Sequence, residues 1–231
     1  MRYGFAQALS KAIGSITLIF VLLIASAGTS RAEAVTIVAF GDSLTQGYGL
    51  RAEDGFVPQM AEWLKANSTQ AGAVRLINAG VSGDTTAGGA ARIDWTLTEE
   101  VDGIIVTLGG NDLLRGIDPA VSRANLEAIL KATRARDVPV LLVGLVATAN
   151  MGPEYKQSFD RMYPELSTAF DTLYVQDFFL GLLEPDGSVD RDGVRARMQA
   201  DGIHPNREGV RDIVEGLGPD VLKLIARSRG E

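Results

Sequence analysis

Val35 to Phe40 (VTIVAF) is a nearly continuous apolar run that stops at a Gly-Asp turn, the pattern of a strand buried on both faces. The pattern recurs at Ala73 to Asn78, Gly103 to Leu108 and Val138 to Val146, and more weakly at Thr172 to Gln176. The stretches between predict helices over about Val57 to Ala66, Ala87 to Leu97, Pro119 to Arg136 and Glu154 to Phe170. Asp118 is placed to cap the third of these, with Pro119 at its first position. Near the C-terminus Val210, Ile213, Val214 and Leu217 share one helical face, and Gly218-Pro219 is expected to break that helix before Val221, Leu224 and Ile225. Strands alternating with helices predict an α/β fold with a central parallel sheet covered on both sides. No repeat, low-complexity tract or linker interrupts residues 35–231, which read as a single domain.

The first 34 residues follow a different rule. Arg2 and Lys11 precede the apolar run Ile16 to Ala25, and small-residue patterns follow at Ala25-Ser26-Ala27 and Ala32-Glu33-Ala34. This is the three-part layout of a secretory signal peptide, with cleavage expected after Ala27 or Ala34. A retained membrane anchor is the alternative. The strongly apolar part is too short for it, since a span needs roughly 20 residues. The mature protein is therefore expected in the periplasm or secreted, with no stable membrane insertion.

Composition narrows the chemistry. The chain has no cysteine, which excludes disulfides, thiolate metal sites and a Cys nucleophile. A single histidine excludes multi-His zinc or copper sites, so imidazole chemistry must centre on His204. Nucleic acid is not an expected partner, because a net charge of -7 offers no basic face for phosphates.

In parallel sheets the chemistry sits beyond the carboxyl ends of the strands. Four segments fall there or before the last helix: Gly41-Asp42-Ser43-Leu44, Ala79 to Thr85 (AGVSGDT), Gly109-Gly110-Asn111-Asp112 and Asp201-Gly202-Ile203-His204-Pro205. Asp201 lies three residues before His204, so carboxylate and imidazole can share one face of a turn. A carboxylate on Nδ1–H leaves Nε2 free to act as a base. Ser43, just past a buried strand, is the candidate nucleophile, although Asp42 or Ser43 could equally cap the next helix. The Ser43 N–H, the Gly80 N–H and the Asn111 amide are candidate donors to an oxyanion.

Together these segments resemble the GDSL or SGNH hydrolases, most nearly their exported bacterial thioesterase I, lysophospholipase and arylesterase group. Asn78 to Thr85, Leu108 to Gly116 and Asp201 to Arg207 extend the likeness, which runs from about Val35 to Ile225. The resemblance implies a flavodoxin-like three-layer α/β/α sandwich. It also implies Ser43 as nucleophile, His204 as base, Asp201 as its orienter and Ser43, Gly80 and Asn111 as the oxyanion hole. It implies no cofactor or metal, and a small-molecule ester, thioester or lipid substrate. Leu113, Leu114, Ile117 and Met151, on loops after the third and fourth strands, are suited to an acyl chain.

Other motifs fail on inspection. No Gly-Lys-Ser/Thr step follows Gly41 or Gly109, as a P-loop requires, and Gly47-Tyr48-Gly49 lacks the third glycine of a dinucleotide fingerprint. Thr45 stands where a G-x-S-x-G elbow needs glycine. Asp186 to Gly193 lacks EF-hand ligand spacing and reads as a solvated loop. A catalytically silent glycan- or lipid-binding module on the same fold is the competing class, but such a protein need not keep the full set of reactive residues.

If the N-terminal segment is a signal peptide, the protein recovered from the cell envelope should have a mature mass lacking it. A membrane-bound mass that still contains Met1 to Ala25 would establish the anchor instead.

Overall fold

The computed structural model describes residues 34–67, 74–184, 186 and 188–231. The signal-peptide expectation and Ala73 lie outside them. Five parallel strands, β1 (Val35–Gly41), β2 (Val74–Gly80), β3 (Gly103–Thr107), β4 (Val140–Val143) and β5 (Leu173–Val175), pair in the order β2-β1-β3-β4-β5. The continuous apolar runs are the central strands: every residue of β1, β3 and β4 is buried, whereas the edge strand β2 is only half-buried. The α/β class and the three-layer arrangement read from the sequence hold.

Among the described residues, eight α-helices surround the sheet: α1 (Ser43–Gln46), α2 (Phe56–Asn67), α3 (Thr86–Thr96), α4 (Gly110–Leu114), α5 (Pro119–Arg134), α6 (Pro153–Phe170), α7 (Arg191–Ala196) and α8 (Arg207–Ser228). Helices α3, α5 and α6 pack in series, and α2 packs on α8. Asp118 caps α5 as expected, its Oδ1 accepting the Ala120 N–H at 2.9 Å. The core is one cluster that includes Phe40, Leu108, Phe159 and Ile213.

Two expectations fail for physical reasons. The β4 run stops at Val143, because the chain leaves the sheet at Gly144 and Val146 is exposed. The break at Gly218-Pro219 does not occur, and α8 runs through both residues. Val210, Ile213, Val214, Leu217, Val221, Leu224 and Ile225 are all buried, so apolar burial on both sides holds the helix together. Pro219 lies on the exposed side, where water can satisfy the carbonyl that its missing N–H releases.

Gly218 lets α2 approach α8: a Cβ there would lie 2.5 Å from two atoms of the Trp63 ring. Two effects therefore oppose each other in Gly218→Ala. Helix propensity favours alanine by about 1 kcal/mol, while overpacking costs about 1–3 kcal/mol. The clash is with a ring anchored by its Nε1–H to Glu215 at 2.8 Å, so packing wins. Gly218→Ala should unfold at lower urea concentration than the parent. A rise in the midpoint would show that propensity prevails.

Candidate active site

The sheet order reverses beside β1, with β2 on one side and β3 on the other, and such switch points open a crevice at the strands' carboxyl ends. The register sets Gly41 beside Gly80 and Thr107 at that edge. A Cβ on Gly41 would lie 2.1 Å from Thr45 Oγ1 and 2.6 Å from the Thr107 carbonyl oxygen, so the chain turns here only as glycine. Asp42 then caps α1, its Oδ1 accepting the Leu44 N–H at 3.0 Å, and Ser43 begins the helix half-buried.

His204 arrives from the opposite end of the sequence on a braced loop. Asn206 caps α8 through the Gly209 N–H and donates from Nδ2 to the Ala196 carbonyl at 2.8 Å. The Gln199 N–H donates to the His204 carbonyl at 2.8 Å, and Gln199 Nε2 to the carbonyls of Tyr48 and Pro205. The Tyr48 ring lies 4.7 Å from the imidazole, centroid to centroid. Asp201 Oδ1 accepts the N–H groups of Ile203 and His204, while Oδ2 lies 2.7 Å from His204 Nδ1. His204 Nε2 lies 2.9 Å from Ser43 Oγ. One tautomer fits both contacts: Nδ1–H donates to Asp201, and Nε2 accepts from the hydroxyl. The imidazole bond and then the two backbone N–H groups hold the Asp201 carboxyl down to about 2, so it remains ionised. Such an arrangement can draw the Ser43 proton onto Nε2 while the carboxylate stabilises the resulting imidazolium.

The two outlying candidates differ. Asn111, half-buried in α4, points its Nδ2 at Asp42 Oδ2, 3.3 Å away, which brings its amide to the Ser43 turn. Gly80 is not a free donor: its N–H is taken by Asn78 Oδ1 at 3.0 Å. Local competition of this kind, a side-chain oxygen closing on a backbone N–H two residues on, is what asparagine does at turns. Beyond it, Val81 N–H donates to the Gly41 carbonyl and Asp84 N–H to the Val81 carbonyl. Among the described residues, the N–H groups of Ser82 and Gly83 have no such acceptor. Gly83 adopts φ +82° and its carbonyl accepts from Arg115 Nη2 at 2.8 Å.

Supporting residues that carry no sequence signal complete the site. Arg92 in α3 donates from Nε to Asp84, from Nη1 to the Ala79 carbonyl and from Nη2 to the Gly41 carbonyl, and lies over the Phe40 ring at 3.9 Å. One guanidinium thus ties the ends of β1 and β2 together. Asp112, fully buried beside Asn111, accepts from the Thr86 N–H, Thr86 Oγ1 and Ser122 Oγ, fixing α4 to α3 and α5. Of the residues suited to an acyl chain, Leu114 is exposed, whereas Leu113 packs against the core.

Residues 39–211 match the profile of the GDSL-like lipase/acylhydrolase family. The chain belongs to this family. Its GDSL-type relatives include esterase TesA of Pseudomonas aeruginosa, 35% identical over 198 residues, 85% of this chain and 92% of that one. Thioesterase 1/protease 1/lysophospholipase L1 of Escherichia coli is 31% identical over 196 residues, 84% of this chain and 86% of that protein. Among solved structures, the SGNH-hydrolase family esterase AlinE4 is 38% identical, with a TM-score of 0.65 covering 84% of this chain and 98% of that one. The GDSL-like chain described here is accordingly an ester hydrolase.

Burial raises the Asp42 carboxyl from 3.8 to about 6, against the lowering effect of its Leu44 and Asn111 hydrogen bonds. A raised carboxyl pKa costs stability above the folded value and costs nothing below the unfolded one. Asp42→Asn, which keeps the helix cap, should therefore be more stable than the parent at pH 8 by ~1–3 kcal/mol, with the difference gone by about pH 4. Urea unfolding at the two pH values checks this; a variant less stable at pH 8 would contradict it.

Proposed function

We propose that the protein is an exported serine esterase working through an acyl-enzyme on Ser43. The observation that carries this reading is the unbroken contact chain from Asp201 to His204 Nδ1, and from Nε2 to Ser43 Oγ. In the first half-reaction Ser43 Oγ bonds to the ester carbonyl carbon as its proton passes to His204 Nε2. The carbonyl π pair moves onto oxygen, where the Ser43 N–H and the Asn111 amide receive it. With the Gly80 N–H engaged, the second backbone donor is assigned to the Gly83 turn. The tetrahedral species collapses as the bond to the leaving group breaks and His204 returns the proton to that group. Water then enters, gives its proton to His204 and attacks the acyl carbon, and Ser43 leaves with the proton restored.

The rim supports the proposed substrate class. Tyr48, Val81, Val146 and Ile203, on four loops at the carboxyl end of the sheet, and Leu114, at the end of α4, are each exposed. Acyl or aryl esters, lysophospholipids and acyl thioesters all carry the apolar group such a rim favours. The relatives named esterase and thioesterase 1/protease 1/lysophospholipase L1 support the same range. The charged start and apolar run ahead of Ala34 support export.

Ser43→Ala and His204→Ala should each reduce kcat to the residue left by binding and oxyanion stabilisation, with the double variant little worse than either. Asn111→Ala should cost roughly 10²–10³ in kcat, or ~3–4 kcal/mol, with KM little changed. Asp201→Asn should lower kcat by orders of magnitude in a folded protein, because His204 can then adopt the wrong tautomer. Steady-state kinetics on p-nitrophenyl and acyl-CoA esters of varied chain length reads all five variants. A folded Ser43→Ala protein with parent activity would end the serine-esterase reading.

A further inference from the structure

The buried carboxylate of Asp42 has two oxygens with separate partners. Oδ1 accepts the Leu44 N–H at 3.0 Å, which is an ordinary helix cap. Oδ2 faces Asn111 Nδ2 at 3.3 Å and lies under the start of α4, where a Cβ on Gly110 would come within 3.2 Å of it. Capping alone needs one oxygen and tolerates serine or asparagine as well as aspartate. Nor does capping require burial of a carboxylate, which is unfavourable unless something uses the charge.

A carboxamide presents either its NH2 or its oxygen to a partner, and the two orientations are nearly equal in shape. A carboxylate, which only accepts, permits one of them. We propose that Asp42 is a positioning residue that sets the orientation of the Asn111 carboxamide, so that NH2 rather than oxygen faces the Ser43 turn. Of the two Nδ2 hydrogens, one is held by Asp42 and the other is free for the oxyanion. The inference rests on the oxyanion role proposed for Asn111 and adds the group that enforces it.

The chemistry makes Asp42→Asn a directed test. The introduced amide must keep its oxygen on the Leu44 N–H, so its NH2 faces Asn111 Nδ2. Two donors then oppose each other, and Asn111 relieves the clash by turning its oxygen inward. That oxygen stands where a donor stood and repels the oxyanion. Asp42→Ser also caps α1 but is too short to reach Asn111, which leaves the carboxamide free to turn either way.

The kinetic constants of Asp42→Asn, Asp42→Ser, Asn111→Ala and Asp42→Asn/Asn111→Ala test this, each on protein shown to be folded by near-ultraviolet circular dichroism. Asp42→Asn should lose at least as much kcat as Asn111→Ala, roughly 10²-fold or more, with KM within about twofold. Asp42→Ser should lose less, roughly tenfold. The double variant should be no worse than Asn111→Ala, because one lost donor cannot be lost twice. Parent-like kcat in either Asp42 variant, or losses that multiply in the double variant, would overturn the inference alone. Parent-like kcat in Asn111→Ala would overturn the oxyanion reading beneath it. A purely structural role for Asp42 would lower stability and activity together in Asp42→Asn, and that pattern also overturns the inference.

Discussion

A hydroxyl and an imidazole 161 residues apart in sequence must be held 2.9 Å apart, and the surrounding structure can be understood as the means of doing so. Long flexible side chains would lose too much entropy to keep that distance. The fold instead fixes both partners through backbone. Ser43 follows a fully buried strand by two residues, across a turn too crowded for any side chain at Gly41. His204 sits in a loop whose own carbonyl, and whose neighbours at Pro205 and Asn206, are all hydrogen-bonded to the segment 197–199. Gln199 joins the two halves directly by reaching the Tyr48 carbonyl.

The polar groups under the site divide into two kinds. Arg92 and Asp112 are fastened on every side: the guanidinium meets two strand-end carbonyls and Asp84, and the carboxylate meets three donors. They bind α3, α4 and α5 to the sheet edge and so define where Asn111 stands. Asp42 is less well compensated, and its raised pKa shows that burial outweighs its hydrogen bonds. Strain of that kind is retained where function uses it, as local rules tend to be broken at sites rather than in cores. In the proposed chemistry its use is the orientation of a single amide.

What could be read from the sequence follows from how local each cause is. The central strands were legible because burial on both faces forces an apolar run, and β5 was faint because it has only three residues at an edge. Ser43, Asp201 and His204 could be singled out as candidates because acyl transfer uses those residue types, Ser43 in the turn after β1 and the other two in the loop before α8. The Gly218-Pro219 break was misread because local breakers were weighed without the apolar residues beyond them and the Trp63 ring that fills the gap. Gly80 was misjudged at shorter range: a glycine in the right loop looks like a donor until Asn78 is seen to occupy its N–H. Arg92 and the second oxygen of Asp42 act on partners 8 to 69 residues away, and no periodicity announces such contacts.

The central claim is that Ser43 becomes covalently attached during turnover. Incubation with an alkyl fluorophosphonate, whose phosphorus mimics the tetrahedral carbon, tests it directly by peptide mass spectrometry alongside residual esterase activity. One phosphonyl group per chain, on the peptide containing Ser43, should accumulate in step with loss of activity. Full activity in protein labelled at Ser43, or inactivation with the label confined to another residue, would contradict the account.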